Sequence, residues 1–129
     1  MSIRRQPKSQ PVQTTTTEQF ALAAARLAAE RHCDDVVILD VRSLSPVSDY
    51  CLIATGTSDR QMRAVGMEIT DLGELMGNVA FSRSGMEDGR WVLLDFIDLV
   101  VHLFDADSRE FYALEMLWGD APKLAWNTE

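Results

Sequence analysis

The segment Trp91–Trp118, WVLLDFIDLVVHLFDADSREFYALEMLW, restricts the fold most tightly. It reads as two short strands, a tight connection and an amphipathic helix. If Asp95 and Asp98 flank a two-residue loop, Leu94 faces Leu99, Leu93 faces Val100, Val92 faces Val101 and Trp91 faces His102. Alternation then sorts the ribbon into two faces. Val92, Leu94, Leu99, Val101 and Leu103 form an aliphatic face that belongs to a core. Trp91, Leu93, Asp95, Asp98, Val100, His102 and Phe104 share the other. A solvated face has no need of a Trp, and a buried one holds two carboxylates only at high cost. This second face is expected to be half dry and made to be covered.

At 129 residues the chain has the length of one domain. No apolar run is long enough to suggest a membrane span, and the start lacks a secretory apolar region. The net charge of −8 is unevenly spread: residues 1–17 carry Arg4, Arg5 and Lys8 without an acid, and all 20 acidic side chains follow. So acidic a body is repelled by a bare phosphate backbone, which argues against direct binding of nucleic acid, and is steered toward basic protein surfaces. Cys33 and Cys51 lack the number and spacing of a disulfide framework or metal site. They are expected to be reduced thiols in a cytoplasmic protein, with Cys51 packed as a small hydrophobe.

Along the chain, residues 1–17 are polar and are expected to form a disordered tail. Their basic, acid-free character resembles a transit peptide only faintly, because almost no apolar face accompanies it. A domain over 18–121 and a C-terminal tail over 122–129 follow. Thr15 and Glu18 have capping-box spacing, and Phe20, Ala23, Ala24, Leu27 and Ala28 share one helix face. Val36–Val41 reads as a buried strand and Tyr50–Ala54 as a second, antiparallel to it across a short link containing Pro46. Ser58 caps a helix from about Asp59 to Met76 with a core stripe of Met62, Val65, Ile69, Leu72 and Met76. Gly66 and Gly73, each costing about 1 kcal/mol in a helix, imply close approach of a neighbour. Val79–Phe81 reads as a third strand, Ser82–Arg90 as a loop. Asp107 and Glu110 are spaced as a capping box for a last helix with Phe111, Leu114, Leu117 and Trp118 near one side, and Trp126 can pack the tail. The expected fold class is α/β: one domain with a mixed sheet of about five strands flanked by helices.

Two kinds of chemistry compete with a binding role. The turn Thr55–Ser58, between strand and helix, is a place where phosphate can sit, which admits a nucleotide-binding protein. It lacks the P-loop lysine and the three-glycine fingerprint, so a strand-to-helix turn with an N-cap is favoured. A Mg²⁺-dependent nucleotidyltransferase-like enzyme would need carboxylates converging on the metal. Asp95, Asp98, Asp105 and Asp107 are candidates, but no basic cluster accompanies them for a triphosphate. No Ser or Cys nucleophile is placed beside His102, so packing against Trp91 is favoured over catalysis. Tyr112 and Glu115, three apart, are expected on one side of the last helix, where they have the makeup of an interface hot spot or cover the sheet edge.

Trp91–Trp118 resembles the ribosomal silencing factor (RsfS, or Iojap) family, whose pattern is a Trp, aliphatics, an Asp-aromatic-Gly-Asp turn, a Val-Val-His strand and Arg-x-Phe-Tyr-x-Leu-Glu-x-Leu-Trp. The last element stands here as Arg109, Phe111, Tyr112, Leu114, Glu115, Leu117 and Trp118. Asp40-Val41, Asp49-Tyr50, Thr55-Gly56-Thr57-Ser58 and Arg60-Gln61 extend the similarity over about Glu18 to Ala121. Ile97 departs from the pattern, which has Gly there. A two-residue loop prefers φ > 0 at that place, so either the loop widens or the turn is strained.

The resemblance implies a nucleotidyltransferase-like fold without the catalytic motif, hence no enzyme and no cofactor or metal. It implies binding to the large ribosomal subunit through its ribosomal protein number fourteen, a block on small-subunit joining, and repression of translation. Family members often form homodimers, so a second copy is a further expected partner. On these grounds Trp91 and Tyr112 are expected to be desolvated anchors. Asp95, Asp98 and Glu115 would pair with Lys or Arg of the partner, Arg109 would orient the acidic cluster, and His102 would support Trp91. Trp91→Ala is expected to leave the fold intact while costing about 2 kcal/mol or more of affinity.

Overall fold

The computed structural model describes residues 15–127; the tail expected over 1–17 therefore lies outside the described residues as far as Thr14. Helix α1 (Thr17–Glu30) opens on a true capping box, one residue later than its spacing suggested: Thr16 accepts from Gln19 N, and the Gln19 side chain accepts from Thr16 N. Strands β1 (Asp34–Asp40) and β2 (Tyr50–Thr55) pair antiparallel, as the short link requires. Helix α2 (Asp59–Leu75) starts on Ser58, whose hydroxyl accepts from Gln61 N. Then come β3 (Ser82–Ser84), β4 (Trp91–Asp95), β5 (Leu99–Phe104), two short helices α3 (Ala106–Tyr112) and α4 (Leu114–Leu117), and β6 (Lys123–Leu124).

The strands form one six-stranded mixed sheet in the order β3-β4-β5-β2-β1-β6, with β2 and β5 parallel and every other pair antiparallel. Six strands rather than about five arise because β6, in the expected tail, adds to β1. The tail is pinned further by the Trp126 indole, which donates to Val36 O at 2.9 Å. The third strand lies at Ser82–Ser84 rather than Val79–Phe81. A polar three-residue strand suits a sheet edge, and aliphatic patterning cannot reveal one.

One sheet face meets α1 and α2. Ala21, Ala24, Ala25 and Ala28 bring α1 close, while Met62, Val65 and Ile69 fill the space under α2. The helical glycines have the close neighbours their cost implied. A Cβ on Gly73 would lie 2.4 Å from Asn78 O and 2.9 Å from the Phe96 ring, and one on Gly66 would lie 3.2 Å from the Met86 sulfur. Val92, Leu94, Leu99, Val101 and Leu103 all face this core. The hairpin register nevertheless differs from expectation by two residues: Trp91 pairs with Phe104, Leu93 with His102 and Asp95 with Val100. Phe96 buries itself edge-on against Phe20, ring centroids 4.8 Å apart, so the hairpin gains a pair and the turn moves to Ile97-Asp98. An even shift leaves each side chain on its expected face.

Candidate partner-binding site

Pairing arranges the second sheet face in rows. Thr55, Phe104 and Trp91 share one row, Ile53, His102 and Leu93 the next, and Cys51, Val100 and Asp95 the third. Leu114, Trp118 and Ala121 cover its β1–β2 side, sealing Leu39, Val41, Cys51, Ile53 and Phe104. Burial pushes the Cys51 thiol up to about 12, with Glu115 adding to the rise, as suits a packed hydrophobe. On the β4–β5 side Leu93, Val100 and Asp95 stay half-exposed.

At one end of that open strip the rings stack. Phe104 is fully buried, Trp91 lies 4.9 Å from it, and Tyr112 lies 4.6 Å from Trp91 while remaining 50% exposed. Phe111 meets Tyr112 edge-on at 5.0 Å and is 80% exposed. Beside the stack runs an open groove of about 700 Å³ lined in part by Gly85, Asp88, Arg90, Phe111 and Tyr112. The Trp91 Nε1–H donates to His102 Nδ1 at 3.1 Å, a diagonal rather than a facing contact. Such a bond needs a neutral imidazole, and burial pulls the His102 pKa down to about 4. His102 thus supports Trp91, and its Nδ1 lone pair is occupied.

The last helix is two helices. Ala113 takes the left-handed conformation (φ 46°, ψ 48°) after Tyr112, so Tyr112 and Glu115 do not share a helix side. The N-cap is Asp105, accepting from Ser108 N, instead of an Asp107–Glu110 box. Of the residues expected near one side of that helix, Leu114 and Trp118 pack on the sheet whereas Phe111 and Leu117 are exposed. The break lets the chain turn back on Arg109, which donates through Nε and Nη2 to Glu115 Oε2 at 3.0 and 2.6 Å. Its Nη1 donates to Asp35 O at 2.6 Å and Thr55 Oγ1 at 2.8 Å. Burial raises the Glu115 carboxyl, but the Arg109 bonds and charge outweigh it and hold the group below its ordinary value. Glu115 is engaged within the chain, so Arg109 fixes the α3–α4 corner that carries Tyr112.

Asp95 and Asp98 stand at the hairpin tip, at the opposite end of β4 from Trp91. Asp95 Oδ1 accepts from Ile97 N at 2.8 Å, and Asp98 is exposed. The site residues therefore form an aromatic end and an acidic end, joined by Leu93 and Val100. Trp91 is also more embedded than a pure anchor, packed on Phe104 and bonded to His102, so Trp91→Ala removes contacts of the sheet as well as of the surface.

At the Thr55–Ser58 turn, Gly56 N donates to Phe104 O, Thr57 N to Gln61 Oε1 and Gln61 N to Ser58 Oγ. These three amides are thereby engaged within the chain, as in a strand-to-helix turn with an N-cap. Among the described residues no group of three or more His, Cys, Asp or Glu is placed to hold a metal ion, and no helix is long and apolar enough to cross a membrane. Sequence reasoning missed the exposed Met116 and Leu117 of α4, because the left-handed Ala113 leaves no mark in the periodicity.

Comparison with known proteins agrees with this architecture. The family model described as "Ribosomal silencing factor during starvation" matches residues 14–129. The ribosomal silencing factor RsfS of Bacillus subtilis is 42% identical over 99 residues, covering 77% of this chain and 84% of that protein. The chloroplastic protein Iojap of Zea mays is 36% identical over 108 residues, covering 81% of this chain and 46% of its own length. A crystal structure of a Chromobacterium violaceum protein superposes with a TM-score of 0.78 at 27% identity, covering 89% of this chain and 95% of its own. The chain belongs to the ribosomal silencing factor family.

Proposed function

We propose that the open β4–β5 face, with Trp91 and Tyr112 at one end and Asp95 and Asp98 at the other, docks on a basic protein of the large ribosomal subunit, ribosomal protein number fourteen. By occupying that surface in the cytoplasm the chain blocks small-subunit joining and represses translation, without chemistry, cofactor or direct contact with nucleic acid. The observation that carries this reading is the half-exposed Tyr112 stacked 4.6 Å from Trp91 on an acidic body. A ring already held by its neighbours loses little conformational freedom on binding, and aromatic groups dominate such interfaces. The carboxylates of Asp95 and Asp98 add attraction to Lys and Arg and repel bare RNA.

Tyr112→Ala tests the proposal more cleanly than Trp91→Ala, because it empties an exposed position. We expect its affinity for purified large subunits to fall by about 2 kcal/mol, with a near-native denaturation midpoint. Unchanged affinity would remove the aromatic end from the interface. If the same face instead served self-association, Tyr112→Ala would abolish a dimer and leave ribosome binding intact.

A further inference from the structure

At the hairpin tip a strained residue holds its side chain outward. Ile97 has φ +74°, a region that β-branched residues avoid. Asp98 N donates to Phe96 O at 2.9 Å, closing a γ-turn on Ile97 in its rare, positive-φ form. Ile97 N donates to Asp95 Oδ1 at 2.8 Å, and Ser48 Oγ donates to Ile97 O at 2.8 Å. Asp98 O accepts from Asp49 N and Tyr50 N at 2.8 and 3.0 Å. At positions 97 and 98 these bonds use backbone atoms alone, so glycine at 97 would make them equally well. The isoleucine side chain is 47% exposed and belongs to neither buried cluster. It strains the monomer and adds nothing to either buried cluster.

Strain of this kind persists where the surroundings enforce it, and it concentrates at binding sites. Val47, 69% exposed, lies next to Ser48, whose hydroxyl ties its loop to the turn. Three acidic residues belong to the same tip: Asp95 bonds Ile97 N through its carboxylate, Asp98 follows Ile97, and Asp49 N bonds Asp98 O. A small apolar knob on an acidic tip complements an apolar patch flanked by Lys or Arg.

We propose that Ile97 is a specificity-determining contact which, with Val47, seats against an apolar patch flanked by basic side chains on the large-subunit protein that receives the Trp91–Tyr112 stack. The inference rests on the docking proposed above and extends it along β4 to the hairpin tip.

The test compares wild type, Ile97→Gly, Ile97→Asn, Ile97→Val and Tyr112→Ala in binding to purified large ribosomal subunits, with urea midpoints measured alongside. Gly and Asn tolerate positive φ, so their midpoints equal or exceed that of the wild type. Their affinities fall about tenfold, as for loss of a buried contact, while Ile97→Val keeps wild-type binding. Wild-type affinity in Ile97→Gly, with Tyr112→Ala impaired, overturns the Ile97 contact and leaves the docking reading standing. Retained affinity in Ile97→Asn also overturns it, since the turn and not the side chain would carry any effect seen with Gly. Impaired Ile97→Gly and Ile97→Asn with an intact Tyr112→Ala supports the Ile97 contact and removes the aromatic end. No binding by the wild type overturns both.

Discussion

The indole of Trp91 gives its only N–H to His102 Nδ1, 3.1 Å away, so the sheltered ring of the open β4–β5 face is held by a buried, neutral imidazole. His102 is 8% exposed and stacks within 9° of parallel to Phe104, ring centroids 6.0 Å apart. The orientation of Trp91, and of Tyr112 above it, depends on that imidazole staying unprotonated.

A pH dependence follows. His102 titrates at about 4 in the fold against 6.5 when unperturbed, so between these values the unfolded chain binds the extra proton. Stability is therefore full above pH ~6.5 and falls on acidification toward 4, by on the order of 3 kcal/mol. Glu115 and Asp40, both held below their ordinary values by arginine partners, lose their contribution only at lower pH. Urea midpoints measured from pH 7.5 to 4.5 should drop for the wild type and flatten in His102→Gln. Parallel slopes for the two proteins would show that His102 does not control this window.

Arg109 joins α3, α4, β1 and β2 through four hydrogen bonds from a side chain that is 12% exposed. Lysine is a point charge without the planar fork and cannot make this set. Arg109→Lys should cost about 2 kcal/mol, and Glu115→Gln about 1 kcal/mol because that partner is more exposed. Denaturation midpoints check both. A neutral Arg109→Lys would mean that the α3–α4 corner is held by Leu114 and Trp118 alone.

The two helical glycines separate packing from propensity. Alanine at Gly73 gains about 1 kcal/mol of helix propensity but meets the backbone oxygen of Asn78, which cannot give way, so Gly73→Ala should lose about 2 kcal/mol net. At Gly66 the nearest atom is the flexible Met86 sulfur, and Gly66→Ala should be neutral or slightly stabilising. Thermal unfolding of the two variants decides, and equal shifts would refute the distinction.

Strand alternation was enough to sort both hairpin faces, because a two-residue error in pairing returns every side chain to its own side. It could not place the turn, since the burial of Phe96 against Phe20 is a contact with α1, 76 positions away in the chain. The N-cap of α2 was readable from Ser58 because capping is local. Ser82–Ser84 carried no such signal: its strand character comes wholly from pairing with β4. The same holds at Ala113, where Arg109 and Glu115 meet across a break that local periodicity reads as continuous helix. Of the site, Trp91, His102 and Tyr112 were legible as one group, whereas the engagement of Glu115 by Arg109 required the tertiary structure.

Sucrose-gradient sedimentation of purified ribosomal subunits, under conditions in which they associate, tests the docking mechanism most directly. With excess wild-type chain, associated ribosomes should give way to separate subunits, the chain should travel with the large one, and Tyr112→Ala should leave the subunits joined. Fully associated ribosomes at saturating wild-type chain, or migration of the chain with the small subunit, would contradict it.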